Sequence, residues 1–117
     1  MVKTVKVFLK FKGEIQMTYQ FEKDEITIGR DRGNDIFIDN LGVSNDHARI
    51  VKSENRYYIE DLDSTNGTIL NDQKIIRQFL NNEDIITISK HDLEIHFIEE
   101  GAWNLGETLS DPTMLKD

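Results

Sequence analysis

Apolar and polar residues alternate with period two along most of the first hundred positions. Val5, Val7, Leu9 and Phe11 interleave with Lys6, Phe8, Lys10 and Lys12, and Ile15, Met17, Tyr19 and Phe21 interleave with Gln16, Thr18 and Gln20. Successive side chains of a strand point to opposite sides, so this period on both flanks of Lys12-Gly13-Glu14 predicts an antiparallel hairpin with one buried face. Shorter runs of the same kind predict strands at 25–28, 35–38, 48–52, 57–61, 68–70, 74–76, 85–88 and 93–99. No segment carries a convincing helical period. Short strands separated by polar turns predict an all-β fold, a two-sheet antiparallel β-sandwich of about eleven short strands with its loops gathered at the ends.

The alternation stops after Glu99-Glu100-Gly101. Residues 1–100 are therefore expected to form one sandwich domain, and 101–117 a flexible C-terminal tail or linker in which Trp103 packs back on the sandwich. A chain of 117 residues has no room for a second core. Its 38% hydrophobic and 31% charged composition suits a globular fold. No apolar run approaches the roughly 20 residues that span a bilayer, and the N-terminus lacks the apolar core of a signal peptide, so a cytoplasmic location is expected. The absence of cysteine is compatible with that. A net charge of −8 argues against nucleic acid and anionic membrane as partners, since both are bound through broad positive fields.

Three breaks in the alternation carry the chemistry: Gly29-Arg30, Val43-Ser44-Asn45-Asp46-His47, and Ser64-Thr65-Asn66-Gly67-Thr68. Arg30 offers a planar guanidinium suited to phosphate or carboxylate. Ser44 and Thr65 add hydroxyls, Asn45 and Asn66 add amides, and the glycine loops at Gly33 and Gly67 can turn backbone N–H groups toward an anion. Arg30, Arg32, Arg49, Lys52 and Arg56 together suggest a local basic pocket on an acidic body. No metal cluster accompanies the set, and no nucleophile has a plausible base near it in sequence, so it is read as holding an oxyanion unchanged, with no catalysis and no cofactor.

The ordered set Gly29-Arg30, Ser44-x-x-His47 and Thr65-Asn66-Gly67 resembles the forkhead-associated (FHA) domain, a phosphothreonine-binding β-sandwich. The likeness extends through Gly33-Asn34-Asp35, Tyr57-Tyr58-Ile59-Glu60-Asp61-Leu62 and Asn81-Asn82-Glu83-Asp84-Ile85, and so covers about residues 5–99. It implies a signalling module that binds a phosphothreonine-containing protein or peptide in extended form, with a Ser/Thr kinase as indirect partner. Arg30, Ser44, Asn45 and Thr65 are then the phosphate contacts, and Asn66 grips the peptide main chain. Gly29, His47 and Gly67 shape the pocket, His47 as an internal brace for the Ser44 loop. Lys90, in the Ser89-Lys90-His91-Asp92 turn, would favour an acidic residue three places after the phosphothreonine. Members of the family commonly carry arginine or lysine where this chain has Asn45, which removes one charge from the pocket.

Thr108 and Thr113 are candidate phosphorylation sites, and Thr108 with Asp111 three residues later matches a threonine-x-x-aspartate pattern that some family members bind. The competing function is a phosphate-independent docking sandwich for an acidic partner. Three other signals are declined. Asp61-x-Asp63-x-Thr65-Asn66-Gly67 has its glycine one place late for a calcium loop and no glutamate at the twelfth position. Asn66-Gly67-Thr68 is a formal glycosylation sequon without a secretory signal. His47, His91 and His96 lack zinc-ligand spacing.

Overall fold

A computed structural model describes residues 2–99 of the chain. The strands run β1 (Val2–Phe11), β2 (Glu14–Phe21), β3 (Glu25–Gly29), β4 (Ile36–Phe37), β5 (Ala48–Ser53), β6 (Arg56–Asp61), β7 (Thr68–Leu70), β8 (Gln73–Ile75), β9 (Arg77–Phe79), β10 (Ile85–Ile88) and β11 (His91–Glu99). They form a six-stranded sheet, β2-β1-β11-β10-β7-β8, and a five-stranded sheet, β4-β3-β5-β6-β9. The two-sheet all-β architecture is the one the alternation predicts.

The alternation also explains the core. Val5, Val7 and Leu9 of β1, Ile86 and Ile88 of β10, and Leu93 and Ile95 of β11 face Ile26 and Ile28 of β3, Ile50 of β5 and Ile59 of β6, all buried. Each such side chain contributes on the order of 1.5–3 kcal/mol on burial. The β1–β2 connection is a two-residue turn with Lys12 and Gly13 both at positive φ, the primed geometry whose twist matches that of the flanking strands.

Three features differ in detail from the expectation. The hairpin's buried face is only partly buried: Ile15 and Met17 are 55% and 51% exposed, and only Tyr19 and Phe21 of β2 pack against the core. Periodicity dictates which side chains share a face, but it does not dictate that another layer covers that face. Strand β9 has no counterpart among the predicted strands because all three of its residues are exposed; it extends the sheet by pairing along the edge of β6. The β3–β4 pair is parallel, with Ile28 opposite Ile36 and Gly29 opposite Phe37; every other strand pair is antiparallel.

The loops β3–β4, β4–β5, β6–β7 and β10–β11 meet at one end of the sandwich. There Arg30 N–H donates to Ser44 O, Leu62 N–H donates to His47 O, and Ser89 Oγ donates to Asn40 Oδ1. The β5–β6 and β9–β10 loops and the end of β11 lie together at the opposite end.

Candidate functional site

An open cleft of about 120 Å³ at the loop end is lined by Arg30, Leu41, Gly42, Val43, Ser44, Thr65 and Asn66. Four of the five predicted contact residues therefore meet in one place, although they come from three loops up to 36 positions apart in the chain (66 − 30).

Arg30 ends the β3 arm. Its Nε donates to Val43 O at 3.0 Å, which fixes the plane of the guanidinium, and its two terminal amino groups hold no partner among the described residues. It can reach this position because Gly29 has no side chain: a Cβ there would lie 2.1 Å from Asn45 O and 2.7 Å from Asn34 Nδ2. Asn34 Nδ2 in turn donates to Asn45 O at 2.8 Å. The β3–β4 and β4–β5 loops are thus zipped together behind Arg30.

Ser44 is held from three sides. Its carbonyl accepts from Arg30 N–H, its own N–H donates to His47 Nδ1 at 3.0 Å, and its Oγ accepts from Thr65 N–H at 3.0 Å. The hydroxyl proton remains to be given to a ligand. His47 is fully buried and, because Nδ1 accepts from Ser44, its Nε2–H donates to Gly67 O at 2.9 Å. The imidazole is a strut between the β4–β5 and β6–β7 loops.

The third arm is built on Asp61. Its carboxylate accepts from Ser64 N–H at 3.0 Å, Ser64 Oγ at 2.5 Å and Thr68 Oγ1 at 2.6 Å, and Ser64 Oγ accepts from Gly67 N–H at 3.0 Å. Burial alone would raise the Asp61 pKa, but the Ser64 and Thr68 hydroxyls and the Ser64 N–H outweigh it and hold the carboxyl below its ordinary value. Gly67 sits at φ +89°, a left-handed conformation, and a Cβ there would lie 2.6 Å from Lys74 Cε. Asn66 donates one amide N–H to Gly42 O at 2.9 Å. Among the described residues its other N–H and its Oδ1 have no partner, which leaves them for a ligand.

The remaining sequence candidates fall elsewhere. Asn45 is exposed and contributes its main-chain oxygen to the Asp31 and Asn34 contacts, and it is not among the cleft-lining residues. Lys90 lies in the β10–β11 turn, whose Ser89 abuts Gly42 and bonds Asn40, so it stands beside the cleft wall. Thr108 and Thr113 lie outside the described residues. The expected basic pocket does not form as a cluster, since Arg49 bridges Glu25 and Glu60, Arg32 covers the Phe37 ring and Arg56 covers the Phe79 ring. Arg49 and Arg56 are carried off on β5 and β6, Arg32 folds over Phe37 within its own loop, and Arg30 alone of the five lines the cleft. Sequence reasoning missed Asn40, Leu41, Gly42 and the structural role of Asp61. Only Asp61 left a local trace, the Asp-x-x-Ser spacing of a side-chain-closed turn.

An oxoglutarate dehydrogenase inhibitor of Corynebacterium jeikeium is 32% identical over 72 residues, which is 62% of this chain and 50% of that protein. The chain thus spans about half the length of that relative. Mycobacterium tuberculosis EmbR, solved in complex with a low affinity phosphopeptide, superimposes with a TM-score of 0.74 at 30% identity, over 82% of this chain and 25% of EmbR. A structure solved in a study of phosphothreonine-dependent FHA domain interactions superimposes with a TM-score of 0.69 at 26% identity, over 78% of this chain and 95% of that one. The sequence profile described as FHA domain matches residues 26–89, more than half of the chain and all three arms of the cleft. The chain belongs to the FHA domain family.

Proposed function

We propose that this chain is a phosphopeptide-binding signalling module that takes a phosphothreonine peptide, in extended form, across its loop end. The observation that carries this reading is the convergence of one anchored guanidinium, one serine hydroxyl with its proton free, and the Thr65–Asn66 arm on a cleft too small for more than a single anion and its immediate neighbours. Arg30 supplies the charge-assisted bonds, and Ser44 and Thr65 the hydroxyl donors. Asn66 holds the main chain beside the phosphate, and Asn45 assists from the flank. Val43 and the exposed Leu41 provide apolar wall for the threonine methyl. Lys90 selects for an acidic residue further along the peptide. His47, Gly29 and Gly67 keep the arms in place.

No group in this set suits bond-making, and the module itself acts by binding alone, in the cytoplasm, downstream of a Ser/Thr kinase. Its ligand is a phosphorylated partner or the chain's own tail carrying phosphate on Thr108. The test is calorimetric titration of wild type and Arg30→Ala with paired peptides spanning 107–113, phosphorylated and unmodified at Thr108, followed by a degenerate phosphothreonine library. Binding that needs both the phosphate and Arg30 supports the reading. Equal binding of unmodified peptides would instead make the sandwich a phosphate-independent docking surface.

A further inference from the structure

A second hollow, of about 320 Å³, opens at the end of the sandwich opposite the phosphate cleft. At roughly 30 Å³ per water share, it has room for about ten waters. Its floor is apolar and rigid. Tyr57, 3% exposed, stacks on Phe97 with ring centroids 5.4 Å apart and planes 17° from parallel, and buried Leu80 is pinned to Tyr57 O through its N–H at 2.8 Å. Its rim carries the amides of Asn55, Asn81 and Asn82 beside the charged Arg56 and Glu99. Asn82 Oδ1 accepts from Phe97 N–H at 2.8 Å, which ties rim to floor. A flat aromatic floor under a polar rim rich in acceptor oxygens fits a side chain with an apolar body and one polar N–H, and an indole has that form.

Glu99, the last residue of β11, lines this hollow, and the chain continues from it into residues 100–117. Trp103 lies four residues further on, within about 13 Å of extended chain. Leu105, the next large apolar residue, has no polar tip to meet the amide rim. We propose that the hollow is the seat of the chain's own Trp103, its indole laid on Phe97 and its N–H given to a rim amide oxygen. The seat fixes the start of the tail at the end of the molecule farthest from the phosphate cleft.

Trp103 is the sole tryptophan of the chain, so its fluorescence reports on the seat without labelling. In the full 117-residue chain the emission is expected to be blue-shifted, with acrylamide quenching several-fold weaker than in the denatured chain. Phe97→Ala, which removes the floor, and Asn81→Arg, which fills the mouth from an exposed rim position, should each return emission and quenching to the solvent-exposed values. The second variant covers the case in which the first fails to fold. Wild-type quenching equal to that of the denatured chain overturns the proposal, as does protection that both variants leave intact. Protection that disappears on dilution also overturns it, because the indole would then belong to another copy.

Discussion

Replacing Asp61 by alanine takes the acceptor from three hydrogen bonds at once, those from Ser64 N–H, Ser64 Oγ and Thr68 Oγ1. A hydrogen bond to a charged group contributes about 1.5–3 kcal/mol, and bonds that share one acceptor do not add in full. Thr68 is fully buried, so its orphaned hydroxyl carries a further desolvation cost. Counting one bond at full value and the others at about half gives a loss of roughly 3–6 kcal/mol, a large share of the 5–15 kcal/mol typical of a domain. Asp61→Asn keeps the shape and one oxygen acceptor while removing the charge, and should cost about 1–2 kcal/mol. Urea denaturation at pH 7 reads both values. The pH dependence separates the charge from the shape. Because the folded pKa of Asp61 is depressed, the unfolded chain takes up the proton first on acidification. The stabilisation is therefore whole above the unfolded value near pH 4 and is lost as pH falls through the lower folded value. Lys10 and His96 hold Glu94 low, and contacts from Lys23 and Thr27 lower Asp35 against its burial, so both add acid-limb terms of their own. Those terms are common to wild type and Asp61→Asn, and the difference between the two proteins isolates Asp61. A loss below about 1 kcal/mol for Asp61→Ala, or identical acid limbs for wild type and Asp61→Asn, would refute the reasoning.

Three further outcomes are expected. Arg30→Ala should weaken phosphopeptide binding about 100-fold, some 2.7 kcal/mol, while costing the fold only the Nε–Val43 O bond, about 1 kcal/mol, and Arg30→Lys should not restore binding because an ammonium cannot present a planar pair of donors; calorimetry and thermal melting check both halves. Gly29→Ala drives a methyl into Asn45 O and should cost about 2–3 kcal/mol in chemical denaturation, with binding falling alongside because the Arg30 arm is displaced. A phosphothreonine peptide should exceed its phosphoserine twin by about 0.8 kcal/mol, close to fourfold, from burial of one methyl against Val43 and Leu41; equal affinities would remove that contact from the account.

The core was legible because isoleucine, valine and leucine at every second position leave a strand one way to sit. The edges were less so. The residues of β9 show no burial contrast, and Ile15 and Met17 carry an apolar pattern on a face that no second layer covers. In the site, Arg30, Ser44, Thr65 and Asn66 could be named from residue type and spacing. Their supports were hidden because the partners lie far apart in sequence: Asn40 meets Ser89 across 49 positions, and Gly42 makes room for that serine. Charge counting misled in the same way, since five basic residues fall between positions 30 and 56 and yet only Arg30 lines the cleft.

Strand β11 begins beside the phosphate cleft and ends at Glu99 on the far side, eight residues on, about 27 Å at the rise of an antiparallel strand. Thr108 is nine residues past Glu99, so a fully stretched tail of at most about 31 Å barely doubles back to its own cleft. Measured from a seated Trp103, the reach falls to about 17 Å. A phosphate on Thr108 is then within easier reach of a neighbour's cleft than of its own. Such a contact would join the tail of one copy to the cleft of another. On those two proposals together, copies would associate as a kinase modifies Thr108 and separate as a competing phosphopeptide occupies the cleft.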